Sequence, residues 1–164
     1  MITKEQLSAA MLRECDICKH LFTKLSPEAW DYQPSPGQRT TTFLLRYLAV
    51  CASGGIRSMA NDDFKSFGAF AAAVKEMPPE DFPAAMDRQK EEIERFFQEV
   101  TEETLETQLA PLPGMGKVPL GFAILNGPLK WLSAYKMQLF LYAKATGATE
   151  LGTSNVWGGK DPKI

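Results

Sequence analysis

Pro128–Gly147 reads P-L-K-W-L-S-A-Y-K-M-Q-L-F-L-Y-A-K-A-T-G, and its period is helical. Trp131, Tyr135, Gln138 and Tyr142 recur at i, i+4, i+7 and i+11, so they share one line along a helix. Gly147 stands where a left-handed cap ends such a helix. A line of large aromatics with an amide among them faces a core, or a pocket within one.

The remainder of the chain is consistent with a bundle built around that helix. Its 164 residues, 45% hydrophobic and 23% charged, fit a single domain spanning 1–164 with a core that needs no staples. A net charge of −2 without a basic run argues against a nucleic-acid partner. Lys130, Lys136 and Lys144 interrupt the most apolar segment, and the N-terminus carries no signal-peptide core. The expectation is a soluble, cytoplasmic protein with no membrane partner.

Helix one is expected over about Thr3–Lys24, opened by the capping pair Thr3 and Gln6. Its stripe is Leu7, Met11, Cys15, Cys18, Phe22 and Leu25, so Cys15 and Cys18 read as core thiols. Three cysteines without an export signal are expected to be reduced. Use of the Cys15-x-x-Cys18 pair in redox or metal chemistry is the lesser reading, because both cysteines lie mid-helix. His20, the only histidine, falls off the stripe and is expected to face solvent.

Leu25–Arg39 carries three prolines and a glycine and reads as an extended connection. Helix two follows over about Thr40–Ser58, its inward face Leu44, Tyr47, Leu48, Cys51 and Gly55. Gly54-Gly55 either ends it or admits a close neighbour. A short helix over Asn61–Lys75 sets Phe64, Phe67, Ala71 and Val74 on one side. Helix three, about Pro79–Val100, has the stripe Phe82, Met86, Ile93, Phe97 and Val100, with Gln89 on the same line and a solvated charged face opposite. Leu109–Val118 reads as a loop, and the last helix as one element from Leu120 to Thr146 bent near Pro128. No strand-period segment competes, so the fold class is all-α: a four-helix bundle with a long connection and a short extra helix.

Three stretches carry a family resemblance. Trp30-Asp31-Tyr32-Gln33-Pro34 resembles a W-x-x-x-P segment. Arg39–Leu48 resembles a helix start of the form S/T-x-x-E-L-L-x-H-L. Tyr135–Leu139 resembles H-R-G-Q-L, followed by the terminal Gly147. Together they make the chain similar to the DinB/YfiT-like bundle proteins. Members of that family are often metalloproteins that hold zinc or nickel with three histidines, and several are thiol S-transferases. The resemblance puts those histidines at Tyr47, Trp131 and Tyr135, none of which is an ordinary ligand for such an ion. No metal and no other cofactor is expected, and metal-dependent thiol transfer is not expected either.

Two readings stay open. Either the three rings fill the former metal cavity and leave a packed scaffold, or they border a smaller organic pocket. The candidates for that pocket are Tyr47, Cys51, Gln89, Trp131, Tyr135 and Gln138. The leading function is a non-catalytic protein that binds a small organic ligand or a partner, with a homodimer as one such partner. The alternative is a metal-independent thiol S-transferase acting between helices two and four, with Cys51 or Tyr47 as the reactive group.

Overall fold

A computed structural model describes residues 2–163. Four helical columns form the bundle. The first is α1 (Lys4–Phe22), the second α2 (Thr41–Leu48) continued by α3 (Cys51–Ala60), the third α5 (Phe82–Glu99), and the fourth α8 (Pro128–Ala145). The short helix α4 (Phe67–Ala73) packs on α3 from outside. Helices α6 (Glu102–Thr107) and α7 (Leu120–Asn126) lie between the third and fourth columns in the chain, and α9 (Thr153–Gly158) follows the last. Column one touches α5 and α8, and column two touches the same pair. The ring order is therefore α1, α5, α2–α3, α8, with consecutive columns one and two on a diagonal.

Capping and patterning explain most of these boundaries. Thr3 accepts from the Gln6 amide while Gln6 reaches back to the Thr3 amide, which closes the orphan donors at the start of α1. The Thr40 and Thr101 hydroxyls cap α2 and α6 by accepting from the Phe43 and Thr104 amides, without the return bond. The stripe of α1 is buried at Leu7, Met11, Cys15 and Cys18, with Ile17 and Leu21 beside it. That of α5 is buried at Phe82, Met86, Gln89, Ile93 and Phe97. These side chains join Leu132, Leu139 and Tyr142 of α8 in one core.

Four local expectations are corrected. Helix two is two helices, interrupted at Ala49-Val50, where Val50 leaves the helical region. The last helix is likewise two, broken at Gly127, with Pro128 starting α8 where its missing N–H is no loss. Leu109–Val118 is a hairpin, β1 (Leu109–Leu112) pairing antiparallel with β2 (Gly116–Pro119). Gly114 and Gly116, at φ of +81° and +77°, make the turn that other residues resist. His20 is not solvent-facing, since the C-terminal segment covers it to 15% side-chain exposure.

That segment is tied down at several points. Arg13 donates to the Trp157 carbonyl oxygen at 3.0 Å, and the Trp157 ring lies 4.6 Å from the Lys136 ammonium. Lys136 itself is fully buried, 2.7 Å from Glu14 of α1. Removing one partner from such a pair strands the other, at about 3–5 kcal/mol. Gly152 N–H donates to Asn155 Oδ1, which fixes the orientation of that amide. The Asn155 nitrogen therefore points at His20 Nε2, 3.1 Å away, and at Asp161 Oδ1, 2.9 Å away. Nε2 accepts in this arrangement, so the docked tail holds a neutral His20.

The α3 glycine pair admits close neighbours. A Cβ on Gly55 would lie 2.8 Å from the Trp131 ring and 2.9 Å from the Pro128 ring, both backed by core. Gly55→Val is expected to lower stability by about 1–3 kcal/mol through overpacking. Gly68→Ala on α4 meets open space and is expected to raise it by about 0.4–1 kcal/mol; urea unfolding of the two variants checks both signs. Burial, then Lys24, lowers the pKa of His20 from its ordinary 6.5. The unfolded chain thus binds the extra proton first, and stability falls as pH drops through that window. The hydrogen bond from Lys24 lowers the pKa of Asp161 from 3.8, which adds a second loss of the same sign at lower pH. Trp157 fluorescence followed from pH 7.5 to 5 should report tail release, and His20→Gln should flatten that first step.

Candidate functional site

The aromatic line of α8 divides into three jobs. Trp131 packs on the bare backbone of Gly55. Tyr135 meets Tyr47 of α2 edge-on, with centroids 4.6 Å apart and planes at 62°. Gln138 donates to the Tyr142 hydroxyl at 2.5 Å, and that hydroxyl donates to the Arg39 carbonyl oxygen at 2.9 Å. Tyr142 thus clamps the end of the proline-rich connection. It sets the Arg39 guanidinium over two rings, 4.6 Å from Tyr47 and 5.0 Å from Tyr135.

Cys51 and Gln89 lie deeper, in the core between columns. Gln89 spans the break between α2 and α3. Its Oε1 accepts from the Ala52 and Ser53 amides at 3.0 and 3.3 Å, and its Nε2 donates to the Leu48 carbonyl at 2.8 Å. The same nitrogen faces Met86 Sδ at 3.5 Å and Cys15 Sγ at 3.8 Å. Both ends of the amide are used. Cys51 is fully buried and its Sγ points at the Leu48 carbonyl, 3.8 Å away. Burial pushes the Cys51 and Cys18 thiols up, and it pushes Cys15 up to about 12. All three therefore stay protonated, which is the inert form.

The donor chemistry at Tyr47, Trp131 and Tyr135 does not fit a divalent ion. Trp131 offers no lone pair, and Tyr135 is packed against Tyr47. Burial, followed by the fields of Cys51 and Tyr135, raises the Tyr47 phenol above its ordinary pKa, so an anionic oxygen is disfavoured there. Among the described residues no group of three His, Cys, Asp or Glu side chains converges on a metal-sized space.

Open space lies on the other side of Tyr47. A cleft of about 210 Å³ opens there between α2 and α4, walled by Tyr47, Val50, Phe67 and Val74. Phe43, 57% exposed, stands at its edge. Of the six candidates from the sequence, Tyr47 lines this cleft and Tyr135 supports it from behind. Gln138 acts indirectly through Tyr142, while Trp131, Cys51 and Gln89 do not reach it. Sequence reasoning passed over Arg39, Phe43 and Arg46. The signal for the last two was the spacing Phe43, Arg46, Tyr47 at i, i+3 and i+4, which makes one face of α2.

Gln89→Leu tests the splint. It strands the Leu48 carbonyl and two α3 amides in a buried place, so stability should fall by about 1–3 kcal/mol or more. Urea unfolding should show a lower midpoint with an unchanged slope.

No family model matches the chain, and no curated protein matches it. Its structure is similar to the crystal structure of a DinB-like protein, YjoA of Bacillus subtilis. The TM-score is 0.70 at 19% identity, over 90% of this chain and 96% of that one. The chain has the all-α, four-helix-bundle fold of a DinB-like protein.

Proposed function

We infer that this is a DinB-like protein without the family's metal chemistry, one that binds a small organic molecule and does not turn it over. The observation carrying this reading is the asymmetry around Tyr47. On its inner side, rings, a saturated amide and protonated thiols fill the space. On its outer side an apolar cleft stays open. Its volume of about 210 Å³ falls below the roughly 300–1,000 Å³ of drug-sized pockets, which suits a fragment-sized ligand. Thiol transfer through Cys51 or Tyr47 needs an accessible anionic atom. The fully buried thiol and the raised phenol supply none.

Two measurements test this. Under native conditions the three thiols should react with iodoacetamide on the order of 100-fold more slowly than a free thiol, and react fully in urea. Native reaction of Cys51 at the free-thiol rate would revive the transferase. In the second, backbone-amide NMR shifts on adding naphthalene-sized fragments should map to α2 and α4, and Ala71→Trp, which fills the cleft, should remove them. Shifts confined to other elements would overturn the cleft as the site.

A further inference from the structure

Three cations stand at the rim of the cleft: Arg39, Arg46 and Lys75. No carboxylate lines it. Among the described residues none of the three forms an ion pair, although Asp and Glu outnumber Lys and Arg by 20 to 18. Other lysines find partners: Lys19, Lys24, Lys90, Lys117 and Lys136 each meet a carboxylate within 2.7 Å.

The two arginines are also held in place by contacts that leave their charge uncompensated. Arg39 is fixed through its own carbonyl by Tyr142, and its guanidinium rests on the Tyr47 and Tyr135 faces. Arg46 donates through Nε to the Met77 carbonyl at 2.9 Å and lies 5.5 Å from the Phe43 ring. A ring face and a neutral carbonyl orient a guanidinium without neutralising it. Each fork therefore keeps donors for an incoming anion, and little side-chain freedom remains to be lost when one binds.

We propose that the cleft is a binding site for a small organic acid: a flat or short apolar body carrying one terminal carboxylate. The body lies against Tyr47, Val50, Phe67 and Val74. The carboxylate is held at the rim by Arg39 and Arg46, with Lys75 adding charge. This rests on the ligand-binding reading of the cleft and adds the chemical class of the ligand.

Isothermal titration with 2-naphthoate, 2-naphthamide and acetate separates the two levels. Naphthoate should bind, its neutral amide about tenfold or more weakly, and acetate not measurably. Arg39→Met and Lys75→Met should each weaken naphthoate several-fold and leave the amide unchanged, and Arg39→Lys should retain part of the affinity. Thermal melts of the variants report whether they fold, and Lys75→Met, at an exposed site, stands in should Arg39→Met not. Equal binding of naphthoate and naphthamide, untouched by Arg39→Met and Lys75→Met, would overturn the organic-acid inference and leave the apolar cleft standing. Binding of neither would remove both. Naphthoate binding that survives Ala71→Trp would place the site elsewhere and overturn the assignment.

Discussion

One side-chain amide holds the centre of this bundle together. Column two does not run as a single helix: it is interrupted at Ala49-Val50, and a broken helix leaves carbonyls and amides without partners inside a core. Gln89 of α5 answers both sides of the gap at once, and Cys15 of α1 and Met86 fill the space around it. On either side of the break both helices pack on α5 and α8: α3 presses its bare glycines against Phe67, Phe70, Trp131 and Pro128, while α2 sets Tyr47 against Tyr135.

The α8 line is best understood as a support. Its rings and amide carry load in both directions: Trp131 inward onto Gly55, Tyr142 outward onto the connection that ends at Arg39. The same helix thereby fills the interior beside Tyr47 with the Tyr135 ring and, through Tyr142, orients the Arg39 guanidinium beside an apolar surface.

What the sequence made legible was whatever depends on period and caps. The stripes of α1 and α5, the Thr3 and Thr40 starts, and even the place of Gln89 on its line follow from spacing alone. The helical bundle could be recognised from them. What stayed hidden depends on partners distant in the chain. The break at Ala49-Val50 carries no proline or glycine, and its splint lies 41 residues from Leu48. Lys136 reads as an interruption of an apolar run until Glu14 and Trp157 are brought to it. His20 reads as exposed until the tail arrives from 135 residues away. The cleft was half legible: Phe67, Ala71 and Val74 share a visible face, but Arg39 belongs to no period, and only tertiary structure places it over the rings.

The diagonal placement of columns one and two constrains how this chain can be made. A bundle of consecutive hairpins can assemble as it leaves the ribosome, each helix closing on the one before. Here α1 has its large contacts with α5 and α8, not with α2–α3. Its apolar stripe, thiols included, must wait until the chain has been synthesised past Glu99 for its first wall and past Ala145 for its second. Contacts of such long sequence separation come with slow closure and a long period of exposed apolar surface. The half-made protein is therefore the form that leaves most apolar surface uncovered, and the one in which Cys15, Cys18 and Cys51, buried once folded, are open to solvent.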